Sequence, residues 1–405
     1  MKYAATYDIG ERKRKNNGIN EDSIAITLLQ DGHRNGLEVV DKSSKNQQKK
    51  NLNVRGPGDE PDKNVDGPNE SATTEVYPKG GPTEDTSSQH HNSKPQDRYA
   101  GIFVLADGAG GEDAGDIASY LASTVITEKL SGPVHQARRL NTGGFGIEVP
   151  EDAFGDKLSD EEIESEIDGA ILAAHREIIR YANKTQSGGT YSTVVVGVYL
   201  DNKFHYGWVG DSRAYVVNES HEEISLLTKD HAKVQQWEDS GEIDKVEGHV
   251  HPDGNEITRA IGGRSGTDPK KAQITVDTGT VSLFEEDIVV ITSDGLIDAQ
   301  TDAMELYREY VTSGNDEEVG KHVLEEVITD DDILDVVLEE PSLSSAAEQF
   351  VDLSNRKGGK DNISLILFSG SSLPNSPDPK EGVLPERALD PDTPISDKKT
   401  VIRDQ

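Results

Sequence analysis

Residues 192–211 read STVVVGVYL, then DNK, then FHYGWVG, and end on Asp211. Two runs of β-branched and aromatic residues flank three polar ones, which is the pattern of a hairpin. Strands joined by so short a turn must run antiparallel. Working outward, further short runs of this kind lie at SIAIT (23–27), GIFVLA (101–106), AYVV (214–217), DIVVIT (287–292) and NISLILF (362–368). Gly, Asp and Asn bracket most of them, as strand ends should be bracketed. Apolar residues recur at helical spacing over 113–130, 160–183, 230–241, 316–328 and 342–355, with Asp316 and Ser342 placed as N-caps. TDDDILDVVLEE (329–340) reads as a helix with an acidic face. The expectation is an α+β domain, a central antiparallel β-sandwich with helices packed outside it.

The chain has 405 residues, 76 of them Asp or Glu and 41 Lys or Arg, for a formal net charge of -35 at pH 7. Such a surface repels nucleic acid phosphates and anionic membranes, so neither is an expected partner. Solvation in a high-salt cytoplasm is one explanation for the charge; the abundance of lysine counts against it. No run approaches the roughly 18 apolar residues of a membrane helix. The first residues, MKYAATYDIGERKRKNN, carry no apolar run followed by a cleavage site. Cysteine is absent, which excludes disulfides and thiolate metal sites. Together these features point to a cytoplasmic protein. Three segments lack core signal: a polar insertion at 32–98, expected to be disordered or loose, a loop at 132–158, and a Pro/Ser/Asp tail at 370–405. The folded domain is then 1–369, interrupted by the first two.

The acids sit at the strand ends. Asp107 closes GIFVLAD, Asp211 closes GWVGD and Asp294 closes VVITSD. Glu21 and Asp22 directly precede SIAIT, and Asp361 directly precedes NISLILF. In an antiparallel sheet one strand's end lies beside its neighbour's start, so all of these can gather on one rim. Clustered carboxylates repel and their pKa values rise unless cations neutralise them. Oxygen ligands without cysteine favour Mg²⁺ or Mn²⁺ over zinc. Glycine after an acid, as at Gly108 and Gly295, lets backbone approach closely. Two such ions can activate a water and clamp a phosphoryl group. Against this stands the plainer reading that each Asp only terminates a strand, since Asp-Gly is a common turn pair.

The ordered set INEDS (19–23), ADGAGG (106–111), VGDSRAYVV (209–217), LTKDH (227–231), HPDGNEITRAIGG (251–263), TSDGLIDA (292–299) and GGKDNISLI (358–366) decides between them. It resembles the metal-dependent protein serine/threonine phosphatases of type 2C, the PPM family, over residues 5–31, 99–131 and 160–368. The resemblance implies helices on both outer faces of the sandwich and two Mg²⁺ or Mn²⁺ ions at one edge. It implies that Asp107 bridges both ions, that Asp294 and Asp361 complete one, and that Glu21 or Asp22 with the Gly108 carbonyl serves the other. A hydroxide between the ions would attack phosphorus in line, with no covalent phosphoenzyme. Asp211 corresponds to the ligand of a third, weaker ion shared with Asp294. Ser293 and Asn362 match supporting positions, and residues 228–263, which include His251, match a flap beside the site. Phosphorylated proteins, opposite a protein kinase, are the implied partners.

Two departures stand out. The family's phosphate-gripping Arg position, four residues before Glu21, holds Asn17. Arg12, Lys13, Arg14 and Lys15 of the longer ERKRKNNG loop are the candidate substitutes; Arg14 is favoured because a planar fork holds phosphate better than a point charge. A solvated basic loop is the plainer alternative. Second, Ala109 stands where many relatives carry a His proposed as general acid. His231 and His251 read more readily as packing or capping residues, and the His90–His91 pair in the insertion as incidental. Thr393 and Thr400 in the tail are candidate phosphorylation sites. The alternatives to an active protein phosphatase are a catalytically weak phosphoprotein-binding relative and a hydrolase of small phosphate esters.

Overall fold

The computed structural model describes residues 1–16, 18–30, 74–76, 83–84, 99–109, 114–137, 158–300, 302–370, 373–376 and 400–402. The chain begins β1 (Lys2–Asp8), α1 (Glu11–Lys15), β2 (Asp22–Gln30), β3 (Thr74–Val76), β4 (Thr83–Glu84) and β5 (Tyr99–Ala109). It continues α2 (Gly115–Ala137), α3 (Asp160–Thr185), β6 (Thr190–Ser192), β7 (Val194–Leu200), β8 (Lys203–Val209), β9 (Arg213–Asn218) and β10 (Glu223–Leu226). Then come α4 (Lys233–Ser240), α5 (Lys245–Val250), β11 (Ile261–Gly263), β12 (Asp277–Ser282), β13 (Asp287–Thr292), α6 (Asp294–Ile297) and α7 (Ala303–Thr312). Last are α8 (Glu317–Glu326), α9 (Asp330–Glu339), α10 (Leu343–Lys357), β14 (Ile363–Ser369) and β15 (Thr400–Ile402).

Among the described residues the strands form two antiparallel sheets. One runs β15-β10-β9-β13-β14-β1-β4; the other runs β11-β6-β5-β7-β8-β12, with β2 and β3 continuing from β5. The hairpin expected at 192–211 is β7–β8, with Leu200 opposite Lys203. Asp201 (φ 50°) and Asn202 (φ 66°) form its two-residue turn. Positive φ at both central positions is the type I′ turn whose twist suits a hairpin, and Asp and Asn tolerate that conformation.

Strand β5 shows why the sandwich has helices on both outer faces. Ile102, Val104 and Ala106 pack against α2 and α3, with Ala118, Ala122, Ile126, Ile167 and Ile171 among their cluster. Phe103 and Leu105, pointing the other way, join Val289, Ile291, Ile366 and Phe368 of the opposite sheet. A period of two with both faces buried gives an unbroken apolar run. Phe103 stacks on Phe368 with ring centroids 4.2 Å apart, so truncating either to Ala should cost about 3–5 kcal/mol. A third cluster seats α6, α9 and α10 on the far sheet through Leu296, Ile333, Val337 and Phe350. The layers are thus helix, sheet, sheet, helix.

Both expected N-caps form. The Asp316 side chain accepts from the Glu318 and Val319 N–H groups, and Ser342 makes a capping box with Ser345. Several elements depart from the expectation. Strand β1 (KYAATYD) has no β-branched run, yet it pairs along its whole length with β14. Residues 132–137 of the expected loop are helix, because Val134 is buried in the helix–sheet cluster. Within the expected polar insertion, 74–76 pair with β2 and 83–84 with β1. In the expected tail, Leu373 is buried between the sheets and 400–402 pair with β10. Residues 32–73, 77–82, 85–98, 138–157, 371–372, 377–399 and 403–405 of those segments, with His90, His91 and Thr393, lie outside the described residues.

Candidate active site

The pairing of β2 with β5 sets Asp22 directly opposite Asp107. In the other sheet β13 ends at Thr292, and Asp294 begins α6 two residues later. Asp361 stands just before β14, the neighbour of β13. Ser293 joins the two sheets at this rim. Its hydroxyl donates to Asp22 Oδ2 at 3.0 Å and accepts the Ser364 N–H at 3.0 Å. The strand-end acids therefore gather on one edge of the sandwich, where the antiparallel order led them.

Burial pushes the Asp107 carboxyl well above the ordinary range, and the charges of Asp22 and Asp294 push it further. Burial likewise lifts Asp22 to about 6. Asp294 stands well above the usual carboxylate value through burial and the charges of Asp211 and Asp361. Asp211 is raised to about 7 by burial and by Asp230 and Asp298. Each pair is thus close enough to be felt by its neighbours, and none of the four has a basic group sufficient to offset it.

Buried polar atoms in folded proteins nearly always have partners. Among the described residues Asp22 Oδ1, Asp211 Oδ1 and Asp294 Oδ1 are buried and have none. Also among the described residues, no three His, Asp or Glu side chains converge as a ready-made coordination sphere. The donor set is nonetheless of the right kind for Mg²⁺ or Mn²⁺: oxygen only, anionic, and partly unpartnered. The acids fit such ions better than they fit an interior without them.

Two glycines let the rim close. A Cβ on Gly108 would collide with the Gly115 carbonyl, and its N–H donates to the Glu21 carbonyl at 3.1 Å. A Cβ on Gly295 would collide with the Asn362 carbonyl. Any side chain at either place would separate Asp107 from Glu21, or Asp294 from Asp361.

Asn362 ties the N-terminal loop to this edge. Its Nδ2 donates to the carbonyls of Ile9 (3.3 Å) and Ile19 (3.2 Å), and its Oδ1 accepts the Glu21 N–H at 2.8 Å. Its Oδ1 also accepts from Lys13 Nζ at 2.8 Å. Lys13 is the basic residue that reaches the acids, with Nζ 2.6 Å from Asp361 Oδ1 and 3.0 Å from Glu21 Oε2. Burial alone would lower the Lys13 pKa. The bonds to Asp361 and Glu21 outweigh that and hold it above the ordinary lysine value. Arg14, the expected phosphate grip, instead pairs with Asp8 at 2.5 Å and is 55% exposed. Lys15 pairs with Glu11. Successive residues of a helix point about 100° apart, so one of this basic run faces the rim and its neighbours cannot. Asn17 lies outside the described residues, and Ala109 is half-buried.

Beyond Asp211 lies a corner whose acids, Asp277 and Asp230, are paired. His231 holds both polar groups of Gly210: its N–H donates to the Gly210 carbonyl at 2.9 Å, and its Nδ1 accepts the Gly210 N–H at 3.0 Å. The ring proton therefore sits on Nε2, which faces Asp277 Oδ2 at 2.6 Å. The ring stacks on Trp208, and Arg259 donates to the same Asp277 oxygen at 2.9 Å. Arg213 forks onto Asp230. The sequence offered only KDH for this arrangement. The expected flap at 228–263 contains α4 and α5. Val250 of α5 packs with Leu306, Tyr310 and Val323 of α7 and α8, and His251 sits edge-on between Trp237 and Tyr307. Both histidines thus take structural posts. No helix among the described residues is long and apolar enough to cross a membrane.

The protein phosphatase 2C family profile matches residues 75–328, more than half of the chain and inclusive of Asp107, Asp211 and Asp294. Serine/threonine phosphatase stp of Listeria welshimeri is 26% identical over 267 residues, covering 66% of this chain and 83% of that protein. Protein phosphatase PhpP of Streptococcus pneumoniae is 28% identical over 268 residues, covering 66% and 85%. The solved Mycobacterium tuberculosis serine/threonine phosphatase PstP/Ppp is 24% identical, covering 67% of this chain and 87% of that one, with a TM-score of 0.45. With the family matched over most of the folded domain, and the sandwich and acidic rim in place, the chain belongs to the protein phosphatase 2C family and is a divalent-metal-dependent protein serine/threonine phosphatase.

Proposed function

We propose that Asp107 is the centre of the metal site, with Asp294 and Asp361 on one side and Glu21, Asp22 and the Gly108 carbonyl on the other. Two ions, Mg²⁺ or Mn²⁺, fit this set, and Asp211 with Asp294 suits a third. When bound, these ions neutralise the acids and lower the pKa of a water enough for it to attack phosphorus. The observation that carries the reading is the group of buried carboxylate oxygens left without partners at Asp22, Asp294 and Asp211. Ser293 holds Asp22 in place from the opposite sheet, and Asn362 holds the loop that carries Glu21. Lys13, which already stands at the rim, takes the role of phosphate contact in place of Arg14. A lysine there attracts phosphate as a point charge, without the bidentate fit of arginine. The chain has no cysteine to act as a nucleophile, which suits direct attack by water.

The substrates in this reading are proteins phosphorylated on serine or threonine by an opposing kinase. Two relatives bearing phosphatase names support it. The test is hydrolysis of a phosphothreonine peptide and of p-nitrophenyl phosphate, each with Mn²⁺ and with EDTA. The expected result is turnover only with Mn²⁺ and a higher kcat/KM for the peptide. Turnover that survives EDTA would remove the metal reading. A higher kcat/KM for the small ester would replace the protein substrate.

A further inference from the structure

We infer that Lys13 is a built-in competitor for the metal centre, its ammonium group and a divalent ion being alternative occupants of the Glu21 and Asp361 oxygens. The inference rests on the metal reading above. An ammonium has three protons, and Lys13 donates all three, to Asp361 Oδ1 (2.6 Å), Asn362 Oδ1 (2.8 Å) and Glu21 Oε2 (3.0 Å). Its side chain is 20% exposed. Asp361 Oδ1 also accepts the Asn362 N–H at 2.7 Å, so the oxygen nearest Lys13 is already doubly engaged. A hard divalent ion needs those same lone pairs at about 2.0–2.2 Å and cannot share them with an adjacent positive charge.

The backbone that carries Lys13 is held in place. Helix α1 is fixed to the end of α10 and to the loop that runs from it to Asp361. The Glu11 N–H donates to Asn355 Oδ1 at 2.7 Å and the Arg12 N–H to the Gly359 carbonyl at 3.0 Å. The Gly18 N–H closes the following turn on the Lys13 carbonyl at 2.8 Å. One positive charge cannot neutralise five acids, so two divalent ions displace it when they are abundant enough. The displaced ammonium remains tethered beside the site, where the phosphoryl group arrives. Lys13 thereby sets the metal concentration at which the enzyme loads.

The test is Mn²⁺ binding by isothermal calorimetry on the full chain and on Lys13→Met, Lys13→Gln and Lys15→Met. The last removes the same charge from the same helix but from a side chain that pairs with Glu11. Both Lys13 variants should bind the tighter-held ions on the order of tenfold more tightly than Lys15→Met does, the equivalent of one charged hydrogen-bonding group released. In EDTA both Lys13 variants should melt below the wild type, and Mn²⁺ should close that gap. Lys13 variants that bind Mn²⁺ no more tightly than Lys15→Met overturn the competition while leaving the metal site standing. A wild-type chain that takes up no Mn²⁺ overturns both.

Discussion

Two groups of acids lie within this fold, and they are arranged in opposite ways. At the corner where β12 begins, Asp277 receives His231 and Arg259, and these hold its pKa below the ordinary value, the His231 bond foremost. At the rim, Asp107 is pushed well above that value by burial and the charges of Asp22 and Asp294, and Asp294 by burial and the charges of Asp211 and Asp361. Both groups are carboxylates at or beside strand ends. The difference is that the corner supplies its own cations and the rim, apart from Lys13 on its outer side, does not. The unpaired group is the one proposed above to hold divalent cations. The Asp277 corner also sets the scale of ordinary structural pairing, against which the rim can be measured.

The largest effect should come from neutralising the centre of the rim. Asp107→Asn should lower phosphothreonine-peptide turnover about a thousandfold or more, since metal-assisted charge stabilisation is worth several kcal/mol. The same variant should melt higher than the wild type in EDTA, because it removes one of several repelling carboxylates. A structural aspartate would behave in the reverse manner, losing stability with activity. A melting point that falls in EDTA would place Asp107 with Asp277 instead.

Next is the response to pH. Asp22 at about 6 and Asp211 at about 7 stand above the unfolded value of about 3.9. Between these limits the folded state binds more protons than the unfolded state, so stability falls as pH rises from about 4 to about 7. Thermal melts in EDTA should show that fall, and saturating Mn²⁺ should flatten it. Asp277 works in the other direction. Its depressed pKa contributes stability above the unfolded value, which is lost as pH falls through the folded one. Asp277→Asn should therefore cost about 1 kcal/mol at pH 7, because the carboxylate is 40% exposed and screened by solvent. That cost should shrink as pH falls below the unfolded value of about 3.9. Equal pH slopes in the two experiments would erase the distinction between the groups.

The parts of this arrangement legible in the sequence are those set by local pattern. The β7–β8 hairpin follows from its alternating runs and its Asp-Asn turn. The gathering of Asp22, Asp107, Asp294 and Asp361 follows from acids at the ends of antiparallel strands. The family resemblance supplied the expected role of each acid. What local pattern could not supply is decided by contacts distant along the chain. Strand β1 has little β character of its own and is drawn out by its register with β14, from Lys2 opposite Ser369 to Asp8 opposite Ile363. The function of His231 depends on Gly210 and Asp277, each far from it in sequence. The choice among Arg12, Lys13, Arg14 and Lys15 depends on the rotation of α1, which Asn355 and Gly359 fix. No property of the ERKRK run itself selects one of the four.

That choice yields the smallest effect and the sharpest check on which side of the comparison α1 serves. Arg14 bonds to Asp8 at 2.5 Å, with the two side chains 55% and 21% exposed. An exposed ion pair of this kind contributes between zero and about 1 kcal/mol, and salt screens it. Arg14→Met should therefore leave kcat and KM for the phosphothreonine peptide within about twofold of the wild type, a change of under about 0.5 kcal/mol. Its melting point should fall slightly at low salt and not at high salt. Lys13→Met should instead raise KM for the peptide, since it removes the basic group nearest the rim. A reversal, with Arg14→Met raising KM and Lys13→Met silent, would mean that α1 rotates when substrate binds and brings Arg14 to the phosphate.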